Sequence, residues 1–560
     1  MKQRIRFLGI LFGIWTFLII GRIIYWQVWE ANTLKKTALS QYGQTINIPA
    51  DRGQIFASDN FPLAQNTASY LLFAEPKKVQ LTLGDKQLLE NLISATDSTK
   101  IALDQISTTN LSWVPIAHYI SPEIKSAIEQ LKISGLGFET EPLRLYPEGS
   151  SSAHITGFVG KNLSGSAQGY FGLEGFYNRI LSGKPGRLIQ ESDARNRPIV
   201  IGDQNIIASQ PGQNLITSID RTVQYIAYTK LAEGLVKYKA KSGTVSIMES
   251  QTGQILAMVS LPGYDPANYW KYDSSLYKNP IVSDGYEPGS TFKVLIMGAA
   301  LDAQVINPKT ICTECNGPKV ISGYQVSSYN DRYYPESTMS DIILHSDNIG
   351  MVFVGKKLGK KYLLEYLKKF GIGQLTGIDL EEENAPALRS DNDWHDIDLA
   401  TVTFGQGVSV TRIQMLTAVN ALANGGRLIP PQIVTKVQSD QIIKPLPRRQ
   451  PTQAISAKAA AEVVAMMKNG VENGEVRYYR VPGYTVAGKT GTAQVPIEGH
   501  YDKEKLISSF IAFAPVENPK FTMLITLREP QTSPWGSTTA APLWFSIAKE
   551  LFRYYKIPPH

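Results

Sequence analysis

Apolar and polar positions divide the chain into three textures. The first is one long apolar run. Lys2, Arg4 and Arg6 precede it, it extends from Phe7 to Gly21, and it resumes after Arg22 to close at Val28 and Trp29. A bilayer-spanning helix needs about 20 such residues, so the run predicts a transmembrane helix over 7–29. Basic residues ahead of it place the N-terminus in the cytoplasm. Tyr25, Trp26 and Trp29 suit the far interface, with Arg22 snorkelling toward it. The run is long for a secretory signal, and no A-x-A-like cleavage site follows it. Residues Glu30 to Gly43 read as a short polar helix leaving the membrane. From about 45 to 210, short apolar alternations are broken by Gly, Pro and Ser, which predicts an irregular, strand-rich module. Gly202 to Gly212 reads as its boundary.

The third texture begins at Asn214. Gly243–Met248 and Gly253–Ser260 are β-rich runs around Gln251-Thr252-Gly253, and predict a hairpin. Ser508–Ala514 and Phe521–Leu527 predict another. Between them lie helical patterns at Ser290–Ala303, Met339–Leu358, Tyr362–Phe370, Gln414–Asn424 and Ala457–Val471. Strands at both ends with helices between them predict an α+β domain, its antiparallel sheet assembled from distant segments. Pro430 to Pro451, rich in proline and basic residues, reads as a surface loop.

Composition narrows the classes. The chain has 560 residues, 43% hydrophobic and 19% charged, which is an ordinary globular balance with room for two or three domains. Its net charge of +7 is spread out, and no basic cluster is interleaved with aromatics, so nucleic acid is not expected as a partner. The only cysteines are Cys312 and Cys315. Outside the cytoplasm they are a local disulfide or two idle thiols. No second C-x-x-C and no nearby histidine pair completes a zinc site, so no metal and no cofactor is assigned.

Candidate chemistry begins at Tyr286-Glu287-Pro288-Gly289-Ser290-Thr291-Phe292-Lys293. Pro288 and Gly289 break the chain just before a helical pattern, which puts Ser290 at a helix start. A serine there is commonly an N-cap. Lys293 lies one turn on, on the same face. A serine hydroxyl needs a base to become a nucleophile, and lysine serves only when burial or a neighbouring cation makes it neutral. S-x-x-K also occurs at Ser275–Lys278 and Ser546–Lys549, without the Pro-Gly break. Ser346-Asp347-Asn348 lies within the stretch Met339 to Val354. It offers a hydroxyl to relay a proton and an amide to hold substrate. Ser58-Asp59-Asn60 and Ser390-Asp391-Asn392 read as turn and solvated loop. Lys489-Thr490-Gly491-Thr492 follows an alternating stretch and reads as a strand that can grip a carboxylate, Gly491 keeping its surface clear. Its rival, Lys241 to Thr244, reads as the first strand of the sheet.

S-x-x-K, then S-D-N, then K-T-G is the ordered signature of penicillin-binding proteins and class A β-lactamases. At these residues the chain resembles a class B penicillin-binding protein. Gly263 to Asn268, Gly405 to Thr411 with Gln414, and Ser509 to Pro515 extend the resemblance. So do Asp51 to Ile55, Arg144 to Pro147, and Gly172-Leu173-Glu174 with Tyr177, which resemble that class's pedestal and are expected to fix geometry.

The resemblance implies a penicillin-binding transpeptidase fold, an antiparallel sheet with a helical subdomain, on a β-rich pedestal with a transmembrane anchor. The expected division is 1–6 cytoplasmic tail, 7–29 anchor, 30–212 dimerisation or pedestal domain and 213–560 transpeptidase domain. It implies a peptidoglycan D,D-transpeptidase in a bacterial inner membrane, crossing once, its catalytic domain outside the cytoplasm. Stem peptides ending in D-Ala-D-Ala would be substrates, β-lactams covalent inhibitors, and a polytopic membrane glycosyltransferase a partner. Ser290 would be the nucleophile, Lys293 its base and Ser346 a proton relay. Asn348 would hold substrate and Lys293, Lys489 would supply positive charge, Thr490 and Thr492 would bind the terminal carboxylate, and Gly491 would let the substrate backbone lie against the strand. The N–H groups of Ser290 and Thr492 would form the oxyanion hole. A D,D-carboxypeptidase, a β-lactamase and a non-catalytic β-lactam sensor are the alternatives. No E-x-x-L-N-like segment stands between Ser346 and Lys489 to supply a β-lactamase's deacylating glutamate. There is no G-x-S-x-G elbow for a Ser-His-Asp hydrolase, so His345 reads as incidental. Division and elongation roles stay equally open, as does the acceptor amine.

Overall fold

The computed structural model describes the chain apart from residues 35, 36, 38–42, 95, 96, 107–110, 164, 192–203, 329, 330, 441, 498, 499 and 560. It falls into two compact units. One comprises Met1–Arg52 and Ser182–Gly212, the other Gly53–Leu181 and Gln213–His560.

The first unit opens with a helix over Lys2–Ile24 that continues as one wider turn over Tyr25–Trp29. Its apolar side chains are exposed all round, and Lys2–Trp29 is long and apolar enough to cross a bilayer. The Arg22 guanidinium lies 4.9 Å from the Trp26 ring centroid and 5.2 Å from that of Tyr25. Residues 31–34 are helical, while most of the polar helix expected to follow lies outside the described residues. Gly43, its expected end, instead opens a strand, Gly43–Ile48, which pairs antiparallel with Gly186–Glu191. Gln204–Ile207 adds the third strand, so the segment expected to be a boundary carries β-structure.

In the second unit, a six-stranded sheet joins early and late sequence. Its order is Ile442–Pro445, Val434–Ser439, Asn214–Thr217, Ile55–Phe56, Pro62–Thr67, Leu143–Leu145. Leu215 pairs in parallel with Ile55, and both are fully buried. The stretch expected to be a surface loop therefore holds a hairpin. Val434 and Val437 turn inward, and Pro445 ends the outermost strand, where a missing N–H costs no ladder bond. Arg144 Nε donates to Glu174 Oε1 at 2.7 Å, deep in the fold. The Tyr177 hydroxyl donates to Asp379 (3.1 Å), whose carboxylate also accepts the Ile433 and Val434 N–H groups (2.7 Å each). Removing one partner of a buried ion pair is typically worth 3–5 kcal/mol. Arg144 and Glu174 thus join early segments to one another, and Tyr177, through Asp379, joins them to the late ones.

The layers around a second sheet follow in chain order. They are α1 (Arg221–Tyr238), β1 (Ser242–Glu249), β2 (Ile255–Leu261), α2 (Lys293–Asp302), α3 (Met339–Leu344) and α4 (Asn348–Lys369). Then come α5 (Arg412–Ala423), α6 (Ala457–Asn473), β3 (Ala487–Ile497), β4 (His500–Ala514), β5 (Phe521–Arg528) and α7 (Ala540–Tyr554). The five strands form one antiparallel sheet, ordered β2-β1-β5-β4-β3. Helices α1 and α7 cover one face through Leu231, Trp544 and Phe552, and α5 packs on the other with α2 behind it. Both faces are covered, so β5 is buried on both sides (Met523, Leu524 and Ile525 are consecutive and all buried) and lacks the alternation of a half-exposed strand. The expected hairpins and intervening helices are present, except that the stretch Met339 to Leu358 forms two helices, α3 and the start of α4. Gly359, at φ 72°, breaks α4 between the two helices expected there. A disulfide joins Cys312 and Cys315.

Among the decoys, Lys241 to Thr244 leads into β1, Ser546 lies in α7, and Ser275 is exposed. Asn60 sits at φ 64° in a turn, and Asp391–Asp393 forms an exposed single turn.

Glu382 accepts the backbone N–H groups of Gly172 (3.1 Å) and Asn279 (3.2 Å). Burial raises its carboxyl from 4.5 to about 7, against those two hydrogen bonds. The folded chain therefore holds a proton that the unfolded chain releases. The linked stability is complete below about pH 4.5 and is lost as pH rises through about 7. In denaturant titrations, wild type should lose stability relative to Glu382→Gln over that window. A difference between the two that does not change with pH would refute the raised value.

Candidate active site

Ser290 occupies a 3₁₀ turn, Gly289–Phe292, that runs directly into α2. The turn is built by close backbone approach. Gly289 has φ 54°, its N–H donates to the Gly405 carbonyl (3.0 Å), and a Cβ there would sit 2.9 Å from the Thr492 carbonyl oxygen. Only glycine combines that dihedral with that clearance. Around it, Tyr286 and Val410 exchange backbone hydrogen bonds of 2.9 Å, and Gly407 N–H donates to Glu287 Oε1 (3.0 Å). The glycine-rich stretch at 405–411 thus buttresses the turn that carries Ser290.

Lys293 is the first residue of α2 and is fully buried. Its Nζ donates to the Ser346 carbonyl, to Asn348 Oδ1 (2.7 Å) and to Ser346 Oγ (3.2 Å). No hydrogen bond joins it to Ser290 among the described residues. Burial drives the Lys293 pKa well below its usual value, the charge of Lys489 drives it further, and Asp347 opposes them.

The S-D-N tripeptide does not lie within a helix, as its pattern had suggested, but between two. Helix α3 ends in a Schellman motif, with Asp347 N–H donating to the Ile342 carbonyl (3.0 Å) and Ser346 N–H to that of Ile343 (3.3 Å). Ser346 therefore takes the left-handed position, φ 54°, that is usually given to glycine. Asp347 caps α4 by accepting Ile349 N–H (2.9 Å) and also accepts the Ser328 hydroxyl. Asn348 opens α4, and its Nδ2 donates to the Ser327 carbonyl (3.0 Å), which leaves Oδ1 facing Lys293. Each residue of the tripeptide has a separate backbone task, and together they aim a hydroxyl and an amide at one point.

Strand β3 brings in the remaining residues. Lys489 Nζ donates to Ser346 Oγ (2.9 Å), so one hydroxyl lies between two buried lysine nitrogens. Burial lowers Lys489 from 10.5 to about 8, and Glu475 pulls it back up. Thr490 and Thr492 face the cleft, and Thr492 Oγ1 accepts Gly536 N–H (3.1 Å). Gly491 lies tight against the turn that carries Ser290, since a Cβ there would meet Thr291 Cγ2 at 2.8 Å and Ser509 Oγ at 2.5 Å. That approach locks the edge strand to the turn carrying Ser290. Ser290, Ser346, Asn348, Thr490, Gly491 and Thr492 line one cleft of about 300 Å³, with Lys293 and Lys489 bonded to Ser346 behind it. Sequence reasoning missed Phe404, Gln406, Glu475 and Trp535, which also line the cleft. It passed over His345, whose ring stacks on Tyr334 at 3.8 Å. Only Gln406 fell in a segment that had been singled out.

Two family models match the chain. The penicillin binding protein transpeptidase domain covers residues 243–553, and the penicillin-binding protein dimerisation domain covers 47–217. Stage V sporulation protein D of Bacillus subtilis is 31% identical over 98% of this chain and 85% of its own length. Peptidoglycan D,D-transpeptidase FtsI of Escherichia coli is 28% identical over 97% of this chain and 90% of its own. Among solved structures, penicillin binding protein 2X of Streptococcus thermophilus superposes with a TM-score of 0.76 at 23% identity, covering 92% of this chain and 80% of that one. Penicillin binding protein 3 of Mycobacterium tuberculosis, in complex with aztreonam, gives 0.71 at 23% identity, covering 92% and 98%. The chain belongs to the penicillin-binding proteins, in class B, whose members join a dimerisation module to a transpeptidase domain. It is accordingly an acyl-transferring enzyme.

The left-handed Ser346 yields a test. A non-glycine residue there costs about 1–2 kcal/mol. Ser346→Gly should therefore be more stable than Ser346→Ala by about 1 kcal/mol in denaturant titration, while both lose the bridging hydroxyl. Equal stabilities would mean that the backbone at 346 is not held left-handed.

Proposed function

We propose that this chain is a membrane-anchored peptidoglycan D,D-transpeptidase whose nucleophile is Ser290. The observation that carries the reading is the Ser346 hydroxyl held between Lys293 (3.2 Å) and Lys489 (2.9 Å) beside Ser290. Two buried ammonium groups that share one hydroxyl repel each other, so one of them is favoured in the neutral form. Lys293 is the more depressed and is the base. Its two N–H donors stay on the Ser346 carbonyl and Asn348, and the lone pair is left for a hydroxyl proton.

The steps follow from that arrangement. Ser290 attacks the carbonyl of the penultimate D-alanine while Lys293 takes its proton. The oxyanion lies between the N–H groups of Ser290 and Thr492, where one such donor is typically worth about 3 kcal/mol. Ser346 passes a proton to the leaving amine, and D-alanine departs. Protonated Lys489, with Thr490 and Thr492, holds the terminal carboxylate, and Asn348 holds the substrate amide. An acceptor amine then resolves the ester. A β-lactam is trapped at the ester stage.

In the whole chain, residues 1–6 form the cytoplasmic tail and 7–29 the anchor. Residues 30–212 form the pedestal and 213–560 the catalytic domain outside the inner membrane, beside a polytopic membrane glycosyltransferase. The two family matches and the exposed apolar N-terminal helix support this division.

A fluorescent penicillin should label wild type and leave Ser290→Ala unlabelled; equal labelling would sink the assignment. Lys293→Met should slow acylation at least about 100-fold, within the usual range for a general base. Lys489 carries its charge below about pH 8. Acylation by a carboxylate-bearing β-lactam should therefore weaken as pH rises through that value, chiefly in apparent affinity. A flat profile from pH 7 to about 9.5 would exclude the role given to Lys489.

A further inference from the structure

A cavity of about 480 Å³ lies apart from the cleft that holds Ser290, and the two share no lining residue. Segments far apart in sequence build it: 176–177, 251–252, 377–379, 427–432 and 446–451. Its basic groups are Arg427, Arg448 and Arg449, all exposed to solvent. Among the described residues no carboxylate pairs with any of them, and Arg427 Nε makes one long hydrogen bond to the Asn424 carbonyl (3.4 Å). Asp379 is the only acid in the described walls. It is buried and already accepts the Ile433 and Val434 N–H groups and the Tyr177 hydroxyl. Arg449 has a built seat. Gly377 has φ 75°, and a Cβ there would lie 1.4 Å from Arg449 Nη1, so the guanidinium takes space that only glycine leaves. Glu383 fixes that seat by accepting Gly377 N–H (3.0 Å). The rest of the wall is largely apolar, with Phe176 (48% exposed), Leu446, Pro447 and Pro451.

We propose that this cavity binds a small molecule that carries a phosphate group on an apolar body. Arg427, Arg448 and Arg449 take the phosphate, and Phe176 with the prolines takes the body. Three like charges without a counter-ion repel one another, and an anion bound among them removes that repulsion. A guanidinium presents a planar fork of donors that meets phosphate oxygens in pairs, and several such forks suit a doubly charged phosphate better than a single carboxylate. The volume falls within the range of about 300–1,000 Å³ usual for small-ligand sites, which likewise combine an apolar lining with a few polar groups.

The surroundings add to the positive field. Arg448 also borders a neighbouring cavity with Lys436 and Lys520, where Asp220 caps α1 and Glu249 accepts the Thr252 hydroxyl. The walls join early and late sequence, since Tyr177 and Asp379, 3.1 Å apart, both line the site. A ligand that binds only the folded chain stabilises it by mass action, so occupation should raise the unfolding temperature. Binding is reversible, involves no covalent step and leaves Ser290 untouched.

The test uses the full chain in detergent, with inorganic phosphate and phenyl phosphate as probes. Calorimetry reads affinity, and thermal unfolding reads stability. Phenyl phosphate should bind about threefold more tightly than inorganic phosphate, the scale of one aromatic contact, and Phe176→Ala should abolish only that difference. Arg448→Gln combined with Arg449→Gln should weaken both probes about tenfold or more, the scale of a hydrogen bond to a charged group, with penicillin labelling as in wild type. Without phosphate, the double variant should unfold no lower than wild type, because it removes repulsion and no ion pair. Dioleoylphosphatidylglycerol in mixed micelles separates the sources of the phosphate. Displacement of phenyl phosphate assigns the site to a lipid headgroup, and no displacement assigns it to a soluble phosphate ester. Equal stabilisation by chloride at the same ionic strength, unchanged probe affinities in the double variant, or a double variant that unfolds well below wild type without phosphate would overturn the proposal.

Discussion

Lys293 is a fully buried lysine with a second buried lysine one hydroxyl away. No protein interior tolerates two such charges without cause. Desolvation disfavours each ammonium, and each disfavours the other. The domain is organised around satisfying that pair. The Ser346 carbonyl, the Ser346 hydroxyl and Asn348 surround the first nitrogen, and the same hydroxyl together with Thr490 meets the second. Ser346 must then stand at a helix end in a left-handed conformation, because only there do its hydroxyl and carbonyl both reach Lys293. The strain of that position is the local cost of seating both lysine nitrogens on one hydroxyl.

The second requirement is rigidity. A base positioned to a few tenths of an ångström is useful only if the nucleophile does not drift. The turn carrying Ser290 is held from three sides by backbone: the Gly405 carbonyl, the Thr492 carbonyl and the ladder between Tyr286 and Val410. These contacts are too close to admit side chains, which is why glycine recurs at the approaches. Helix α2 then carries the turn into the layered core, where its residues from Lys293 to Leu301 are buried. Catalytic geometry and hydrophobic packing are thus one structure. A cavity opened under α2 would be felt at Ser290.

The same economy appears at the junction of early and late sequence. Asn214–Thr217 joins Ile55–Phe56 and Val434–Ser439 in one sheet, and Asp379, Glu381 and Glu382 accept N–H groups and a hydroxyl from chain segments far from them in sequence. Carboxylates are strong acceptors, and several backbone donors on one carboxylate hold segments together as a short disulfide-free staple. Residues that recur as motifs far from Ser290, such as Arg144, Glu174 and Tyr177, act here through geometry.

What could be read in the chain was what short-range physics decides. The apolar run at 7–29 is a matter of length and hydropathy, the helices at 293–302 and 457–473 of periodicity, and the two hairpins of β-rich runs around turns. The ordered S-x-x-K, S-D-N and K-T-G motifs picked out residues that the fold brings together at one cleft. Tertiary structure alone decided the rest. The break that makes Ser346 left-handed was hidden in an apolar stretch, because a Schellman end is set by where the chain must turn and not by a glycine. The hairpin at 434–445 was masked by prolines that are harmless only at an edge, and being an edge is a property of the assembled sheet. Glu475 and His345 carried no pattern at all. They line the cleft because distant segments meet there, and convergence in space leaves no periodicity in sequence.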